Sequence, residues 1–443
     1  MEQRHHVVII GGGFGGLAAG RSLKGAAVEV TLIDRRNFHL FQPLLYQVAT
    51  GWLSPANIAS TLRAALKDQK NAQVLLAEAT GFDLDQRRVI LGDGQITYDT
   101  LIVATGSHHH YFGNERWQAV APGLKTIEDA TEIRRRIFLA FETAERESDA
   151  AKLEALLTFA IVGGGPTGVE LAGALGEIAH DTLKHDFRRI DPSKTRILLI
   201  EGGERILPTY PEELSTKASA LLKNLGVTVR VNALVSDISA EAVTIKQGKT
   251  SERIPCRTVI WAAGVQASPL GQILAKSSGA KLDRAGRIEV ESDLTIAGHP
   301  EIFVIGDLAN YAHQTGKPLP GIAPVALQQG RYVARVIAAS IKEQQLPPFH
   351  YRDRGAMAII GRASAVVDLG RLRFSGYFAW LAWLFVHLIN LIEFENKILV
   401  LVQWGWYYVN RNRAARLIVG AARTATVCAD DREPNETRPR LIG

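Results

Sequence analysis

The chain has 443 residues, of which 47% are hydrophobic, enough for the cores of two or three domains. Its two cysteines, Cys256 and Cys428, are too few and too far apart for a disulfide framework or a CxxC redox motif. The formal net charge of +6 is a mild basic excess that fits an anionic membrane surface. No nucleic-acid-binding motif accompanies it, so nucleic acid is not an expected partner. The first apolar run starts at Val7, which leaves no room for a signal peptide before it.

The opening stretch has the pattern of a βαβ unit that binds a dinucleotide. An apolar strand, Val7–Ile10, precedes a helix that includes Leu17–Leu23, and a second strand, Val28–Ile33, runs into Asp34. The glycines between strand and helix have the spacing GxGxxG and are Gly11, Gly13 and Gly16. Such a turn lets the backbone approach a pyrophosphate at a helix N-terminus, while the acid accepts hydrogen bonds from ribose hydroxyls. An ordinary glycine-rich βα turn is the alternative interpretation.

The same pattern recurs about 150 residues later. The segment FAIVGGGPTGVE begins at Phe159, its helix extends to about His180, and the strand Arg196–Ile200 ends before Glu201. The second set of glycines is Gly163, Gly165 and Gly168. Two chance matches that each include a strand, a helix and an acid are improbable, so the duplication supports both units.

Three further apolar strands run into glycine. They are Tyr98–Gly106, which ends in Ala104, Thr105 and Gly106; Thr258–Gly264; and Glu301–Asp307, which ends in Gly306 and Asp307. Open α/β sheets bind ligands at the carboxyl ends of their strands, so Asp307 is a candidate to hold the polyol of a flavin.

The remaining stretches before the C-terminus predict connecting elements. Ile58–Leu66 and Ile127–Glu147 have helical patterns, Val74–Asp83 resembles a strand, and a helix is expected from Ala323 to about Ile341. Asn37–Gly51 has no clear period. It is either a packed connection or a segment that faces the cofactor ring.

Two groups of polar residues invite a chemical interpretation. His108, His109 and His110 are adjacent in sequence, but neighbouring positions on a strand do not converge on one ion, so no metal site is expected. Glu170 lies in the first turn of the second glycine-rich helix. It is either an acid that stabilises the helix dipole or a residue that takes part in redox chemistry.

The composition changes near the C-terminus. Phe374–Ile392 and Ile398–Val409 carry no formal charge, and the second stretch is followed by arginines. Those arginines are Arg411, Arg413, Arg416 and, a little later, Arg423. Aromatic rings beside arginines are typical of the headgroup layer of a membrane. An interfacial anchor, packing in a dimer or between domains, and a true membrane span are the three interpretations, of which the anchor is favoured.

These motifs together indicate a family. The chain resembles the type II NADH dehydrogenases, the single-subunit NADH:quinone oxidoreductases, which belong to the flavoproteins with two dinucleotide-binding domains. The most specific segments are FQPLLYQVATG at Phe41–Gly51, YFGN at Tyr111–Asn114, APGLKTIEDA at Ala121–Ala130, GPTGVELAG at Gly165–Gly173 and ALQQG at Ala326–Gly330. A Trp-rich C-terminus completes the likeness, which extends from Val7 to about Tyr408.

The resemblance implies an α/β fold with two Rossmann-like, glutathione-reductase-like domains and an amphipathic membrane-anchoring segment. The implied boundaries are residues 1–120 and 291–345 for the FAD domain, 121–290 for the NADH domain, 346–422 for membrane association and 423–443 for a disordered tail. It also implies a peripheral or monotopic homodimer on the cytoplasmic face of the inner (plasma) membrane.

The resemblance assigns the cofactors, FAD to the first unit and NADH to the second. The implied FAD residues are Gly11, Gly13, Gly15, Gly16, Asp34, Arg35, Ala104, Thr105, Gly106, Gly306, Asp307, Ala326 and Leu327. The implied NADH residues are Gly163, Gly165, Gly168, Glu201 and Gly264. A carboxylate at Glu201 repels a 2′-phosphate and favours NADH, although the basic side chain of Arg205 leaves NADPH use open.

The implied reaction transfers hydride from NADH to FAD and then two electrons to a membrane quinone, without proton pumping. The implied catalytic residues are Glu170, which could relay protons, and Gln328, near the flavin edge. The chain departs from many bacterial relatives at Ala323-Pro324, where they have Ala-Gln and the glutamine is associated with quinone contact.

Three other functions remain open. A sulfide:quinone oxidoreductase would need redox cysteines near the flavin, and a soluble NADH-dependent ferredoxin-type reductase would not need the Trp-rich C-terminus. A membrane-bound redox sensor or scaffold that binds both cofactors with little turnover would show the same binding motifs.

Overall fold

The structure is a computed structural model that describes residues 4–411 and 413–419. The strands in chain order are β1 (His5–Ile10), β2 (Val28–Asp34), β3 (Phe38–Leu40), β4 (Ala59–Thr61), β5 (Ala72–Leu76), β6 (Ala79–Asp83), β7 (Arg88–Leu91), β8 (Gly94–Thr97), β9 (Thr100–Val103), β10 (Ser107–His109), β11 (Thr158–Val162), β12 (Arg196–Ile200), β13 (Val227–Arg230), β14 (Leu234–Ile238), β15 (Ala242–Gln247), β16 (Thr250–Pro255), β17 (Thr258–Trp261), β18 (Val265–Ala267), β19 (Ile288–Glu289), β20 (Thr295–Ile296), β21 (His299–Val304), β22 (Ala309–Asn310), β23 (Ala356–Gly361), β24 (Ser364–Asp368) and β25 (Arg373–Gly376). The helices are α1 (Phe14–Ser22), α2 (Leu45–Ala49), α3 (Pro55–Ile58), α4 (Leu62–Ala65), α5 (Ile127–Ala144), α6 (Ala150–Leu156), α7 (Pro166–Glu177), α8 (Glu212–Asn224), α9 (Pro269–Ser278), α10 (Ala323–Ser340), α11 (Tyr377–Asn390) and α12 (Phe394–Asn410).

Two sheets form the framework. The larger has six strands in the order β20-β21-β9-β1-β2-β5, and every neighbouring pair is parallel except β20 with β21. The smaller has four parallel strands in the order β13-β12-β11-β17. Strands such as β9 and β11 are buried along their whole length, which is typical of parallel sheets covered on both faces. The predicted α/β class with two dinucleotide-binding units is confirmed.

The packing of helix α9 provides information about the boundary between the two predicted domains. It lies within the predicted NADH segment, residues 121–290, yet it packs against β6. Its buried residues Leu270 and Leu274 belong to the hydrophobic core around the six-stranded sheet. The packing therefore favours ending the inserted unit near β18 rather than at residue 290.

Two predictions are wrong, the continuous helix at Ile58–Leu66 and the continuous strand at Val74–Asp83. The helix expected at Ile58–Leu66 is interrupted by β4, because β4 pairs with β3 and Thr61 then caps α4 through its hydroxyl. The strand expected at Val74–Asp83 is divided, since β5 joins the six-stranded sheet and β6 joins a separate antiparallel one. In both cases pairing with a distant strand overrides the local pattern.

The segment from residue 37 to 51, which had no clear period, is a buried connection built from β3 and α2. His39 on β3 is 3% exposed and its Nδ1 lies 2.9 Å from the carbonyl oxygen of Gly12. Burial lowers the pKa of His39 to about 4, against a weaker opposing effect of that hydrogen bond. The neutral imidazole therefore holds the backbone of the first glycine turn through its hydrogen bond to Gly12.

The C-terminal part forms an antiparallel sheet, β23-β24-β25, and the two helices α11 and α12. Each helix buries one face, α11 through Trp380 and Trp383 and α12 through Val400, Trp404 and Tyr407. The opposite faces expose large apolar residues, here called the outer apolar face. Its members are Tyr377, Phe378, Leu381, Phe385, Val386, Ile389, Phe394, Ile398, Leu399, Leu401, Val402, Trp406, Tyr408 and Val409.

Across residues 4–411 and 413–419, no helix combines the length and the apolar character needed to cross a bilayer.

The arginines after α12 form ion pairs within the chain. Arg413 is 1% exposed and is paired with Glu177 at 2.9 Å. Arg411 pairs with Asp181, and Arg416 pairs with Asp186. The three ion pairs attach this segment to the end of α7 and to the stretch that follows it. Arg423 and the predicted tail, residues 423–443, lie outside the described residues.

Gly330 tests the packing of α10 on α1. A Cβ at Gly330 would lie 2.2 Å from the carbonyl oxygen of Gly15, so Gly330→Ala forces the two helices apart. We expect a lower apparent melting temperature, equivalent to roughly 1–3 kcal/mol of lost stability. Gly405→Ala is the matched control, because a Cβ on that helical glycine meets nothing within 4 Å. Equal melting temperatures for the two variants would contradict the close helix contact.

His39 predicts part of the pH dependence of stability. Because the folded state lowers its pKa to about 4, its contribution is complete above the ordinary value near 6.5 and is lost as pH falls towards 4. Between pH 8 and pH 5 the loss should be about 2 kcal/mol. We expect the melting temperature of His39→Asn to fall less over this range than that of the unchanged protein. Parallel curves would show that His39 does not titrate in this window.

Candidate functional site

The first glycine turn has the geometry that its sequence predicted. Gly11 has a positive φ of 103°, and a Cβ there would lie 2.4 Å from the carbonyl oxygen of Ala104. A Cβ on Gly16 would lie 1.8 Å from the carbonyl oxygen of Gly11, so only glycine allows helix and turn to meet. Asp34 accepts hydrogen bonds from the backbone N–H groups of Gly12 at 2.6 Å and Arg36 at 2.8 Å. The acid is thereby held beside the turn.

Residues distant in sequence converge on this turn. A Cβ on Gly15 would meet the side chain of Ile305 at 3.1 Å and the carbonyl oxygen of Ala326 at 3.4 Å. Gly306 has a positive φ of 74°, and a Cβ there would contact Ala326. The first glycine turn, the β9 end, the β21 end and the start of α10 therefore form one crevice. The next residue of α10, Leu327, is half-buried. Arg35, another predicted FAD residue, is largely exposed, and its guanidinium lies 4.0 Å from the carboxylate of Glu78.

Asp307 is held by groups that the sequence did not single out. Ser107 Oγ donates to Asp307 Oδ2 at 2.6 Å, and Lys125 Nζ lies 3.4 Å from the same oxygen while donating to Ser107. Gln329, which is 1% exposed, accepts the backbone N–H of Gly306 at 2.7 Å. The strand end that bears the acid is thus fixed from two sides.

This crevice fits FAD by two observations. A Cβ on Gly13 would meet nothing within 4 Å, so the turn faces open space where a pyrophosphate can approach the N-terminus of α1. Thr105 Oγ1 is buried and has no hydrogen-bond partner among the described residues. Asp34 beside Gly12 and Asp307 beside Ser107 supply carboxylates, a group that can accept hydrogen bonds from ribose or polyol hydroxyls.

The second glycine turn repeats the first in detail. Gly163 has a positive φ of 111°, and a Cβ on Gly168 would lie 1.8 Å from its carbonyl oxygen. A Cβ on Gly165 would meet nothing within 4 Å, as at the first turn. Gly264 follows β17 with a positive φ of 74° and lies against the ring of Phe112. The second unit therefore offers the same kind of dinucleotide cradle.

The acid of the second unit is held by backbone N–H groups. Glu201 accepts the backbone N–H groups of Gly164 at 2.6 Å and Gly203 at 2.7 Å. The guanidinium of Arg205 donates to the carbonyl oxygens of Tyr210 at 2.6 Å and Pro208 at 2.9 Å. Because Arg205 is engaged by the main chain, it is not positioned as a receptor for a 2′-phosphate.

Glu170 lies on α7 and is half-buried. Burial raises the pKa of its carboxyl group well above the ordinary value, and the backbone N–H of Ile359 opposes this only in part. The protonated form is therefore favoured at pH values where an exposed glutamate is ionised. Glu177, two turns later on the same helix, contacts Arg413, the hydroxyl of Tyr407 at 2.9 Å and the backbone N–H of Arg362. The two acids of α7 thus have different surroundings.

A hydrogen-bonded chain extends from α2 to α12 beside these acids. Gln47 Nε2 donates to the hydroxyl of Tyr46 at 2.8 Å, and Trp404 Nε1 donates to Gln47 Oε1 at 2.8 Å. All three residues are at least 96% buried. None was predicted as a site residue, although Tyr46 and Gln47 lie in the FQPLLYQVATG segment. A polar pair inside an otherwise apolar stretch was the available signal.

The side chain of Gln328 is directed to Arg352 and not to Glu170. Gln328 Nε2 donates to the carbonyl oxygen of Arg352 at 2.9 Å, and its Oε1 accepts the backbone N–H of Arg352 at 3.0 Å. Its neighbour Gln329 is the one directed to Gly306. Pro324 takes the first turn of α10, where a missing N–H is tolerated.

The cysteine and histidine side chains outside this site are the remaining candidates for reactivity. Cys256 is fully buried, and burial raises the pKa of its thiol to about 11, which disfavours a redox-active thiolate. Cys428 lies outside the described residues. His109 binds Asp129 at 3.1 Å, and His110 stacks edge-on against Phe112.

Comparisons with known proteins agree with this geometry. Residues 5–330 match the family described as pyridine nucleotide-disulphide oxidoreductase. Two proteins of Mycobacterium tuberculosis, the type II NADH:quinone oxidoreductases NdhA and Ndh, are 47% and 46% identical over 94% and 93% of this chain and 89% of each of theirs. NDH2 of Plasmodium falciparum in complex with NADH has the same fold, with a TM-score of 0.84, 21% identity and coverage of 94% of this chain and 100% of its own.

A sulfide:quinone oxidoreductase from Aquifex aeolicus shares the fold more distantly, with a TM-score of 0.70, 19% identity and coverage of 93% of this chain and 92% of its own. The alignments with the two mycobacterial enzymes cover almost the whole chain. The chain therefore belongs to the type II NADH:quinone oxidoreductase family.

Proposed function

We propose that this protein oxidises NADH and reduces a membrane quinone without pumping protons. The observation that carries the proposal is the pair of equivalent dinucleotide cradles, each with its own acid. Bound FAD supplies the chemistry, since a flavin accepts a hydride and passes on electrons. The first cradle, with Asp34 and Asp307, holds FAD, and the second, with Glu201, holds NADH.

The protein's own residues orient the cofactors and handle protons. Gly13 and Gly165 admit the pyrophosphates, and the carboxylate of Glu201 selects NADH over NADPH by repelling a 2′-phosphate. Glu170 donates a proton during quinone reduction, because burial raises the pKa of its carboxyl group and favours the protonated form. Gln328 contributes to the FAD crevice through its position near the start of α10, next to Leu327.

The outer apolar face supports a membrane-bound location. Phe378 and Phe394 are each 76% exposed and Val409 is 75% exposed, more than solvent-facing helices ordinarily leave uncovered. We propose that this face lies in an anionic membrane on its cytoplasmic side and brings the quinone to the enzyme. The family resemblance supports a homodimer, which light scattering of the detergent-solubilised protein would test.

The first experiment is anaerobic stopped-flow absorbance of the flavin-loaded protein. NADH should bleach the flavin band, and a short-chain quinone should restore it rapidly. Bleaching without recovery would identify a different acceptor or the sensor function. No bleaching would contradict the assignment of the second cradle to NADH.

Glu170→Gln separates the two half-reactions. Removal of the acidic proton should slow recovery by quinone about a hundredfold, while NADH-driven bleaching stays within a few fold of the unchanged protein. Glu142→Gln on α5 is the control, because Glu142 is an exposed glutamate of that helix. Equal slowing of both half-reactions, or no slowing, would remove Glu170 from this role.

Vesicle co-sedimentation tests the outer apolar face. The double variant Phe378→Ser/Phe394→Ser should bind anionic phospholipid vesicles at least about tenfold more weakly. Leu234→Ser, which alters a leucine that is 65% exposed on β14, should leave binding unchanged. A double variant that still binds vesicles but loses dimerisation would reassign the face to a subunit interface.

A further inference from the structure

The carboxylate of Asp307 is bound by the protein through one of its two oxygens. Within residues 4–411 and 413–419, the side-chain hydrogen bonds to this carboxylate go to Oδ2, from Ser107 Oγ at 2.6 Å and from Lys125 Nζ at 3.4 Å. Gly321 lies beside the other oxygen, where a Cβ would approach Oδ1 to 3.1 Å, a tight contact. Glycine at that position therefore leaves Oδ1 able to accept a hydrogen bond from a ligand.

Lys125 settles the direction of the hydrogen bonds that reach Asp307. An ammonium group has three donors and no acceptor, so in its contact with Ser107 the lysine donates to the hydroxyl oxygen. The single hydrogen of that hydroxyl is then directed to its other partner, Asp307 Oδ2. The donors therefore follow the order Lys125, Ser107, Asp307, and the chain ends on the acid at the crevice.

The lysine and the acid also compensate each other's charge. Their side chains are 18% and 23% exposed, so both charges are largely withdrawn from solvent. Removal of one partner from such a pair leaves the other charge without compensation. Without Lys125, the carboxylate of Asp307 would lose both a charged neighbour and the group that orients Ser107.

The backbone of Lys125 is itself held at the start of α5. Lys125 directly precedes the N-cap of that helix, and its N–H donates to Asp129 Oδ2 at 3.0 Å. The same oxygen of Asp129 lies 3.1 Å from Nε2 of His109, which belongs to β10, the strand that begins with Ser107. One acid in the first turn of α5 therefore fixes the lysine relative to the strand that carries the serine.

We infer that Lys125 and Ser107 are positioning residues for FAD, which hold Asp307 through Oδ2 so that Oδ1 accepts a hydrogen bond from a hydroxyl of the flavin polyol. This inference rests on the proposed placement of FAD in the first cradle. Ser107 follows β9 of the six-stranded sheet, whereas Lys125 introduces α5. The acid that retains the polyol is thus oriented from the connection between the two predicted domains.

Lys125→Met in the flavin-loaded full-length protein tests the inference. Methionine keeps an unbranched side chain and removes the ammonium group. We expect the dissociation constant for FAD, measured from the flavin fluorescence that is released on dilution, to rise about tenfold, the equivalent of one hydrogen bond to a charged group. Ser107→Ala should act in the same direction, whereas Ser107→Thr, which keeps the hydroxyl, should bind FAD within about threefold of the unchanged protein.

A double-mutant cycle shows whether Lys125 acts through Asp307. Asp307→Asn alone should weaken FAD binding, and Lys125→Met added to Asp307→Asn should cause no further weakening, because residues that act through one contact are not additive. Lys276→Met is the control, since Lys276 is an exposed lysine on α9, and it should leave FAD binding unchanged. Melting temperatures measured with excess FAD report separately on the folding of each variant.

Unchanged FAD binding in Lys125→Met, additive losses in the cycle, or equal losses in Ser107→Ala and Ser107→Thr would overturn the inference. In that event Lys125 would only attach the start of α5 to the end of β21. Unchanged FAD binding in Asp307→Asn would instead refute the proposed placement of FAD against Asp307, and the inference would fall with it.

Discussion

Both cofactor cradles depend on one steric constraint, the contact between the third glycine of each turn and the carbonyl oxygen of the first. A Cβ at Gly16 or at Gly168 would lie 1.8 Å from that oxygen, far inside any real contact. The absence of a side chain brings each helix N-terminus directly over the carboxyl end of its strand. The free N–H groups and the positive end of the helix dipole then face the open space beside Gly13 and Gly165.

Helix α7 links the second cradle to two acidic side chains. It starts at the second cradle and carries Glu170 in its first part and Glu177 at its end. Burial raises the pKa of both acids, but Arg413 opposes the effect at Glu177, and within the described part of the chain no charged partner does so at Glu170. One helix thereby holds an acid bound to a cation and an acid disposed to keep its proton. Environments that separate two carboxyl groups in this way are a common basis for acid–base roles.

The C-terminal helices are fastened to the core by the Glu177–Arg413 contact and its surroundings. Arg413 also donates to the carbonyl oxygen of Thr50 at 3.1 Å and lies over the rings of Trp52 and Tyr407. Removal of one partner of a buried ion pair is costly, because the other charge remains without compensation. The contact therefore makes the position of α12, and with it Trp404, dependent on α7. The apolar surface that faces outward is a consequence of this docking.

The sequence by itself determined the α/β class, both cradles and their acids, because these follow from local periodicity and from glycines whose spacing has a steric reason. It also identified the family, since the specific segments are contiguous in the chain. It could not separate β4 from the helical pattern around it, because pairing with β3 decides that stretch. Only the tertiary structure showed that Arg413 is buried, that Gln328 is directed to Arg352, and that Tyr46, Gln47 and Trp404 form one hydrogen-bonded chain. Burial and hydrogen-bond partners depend on which distant residues are brought together, and no local pattern records that.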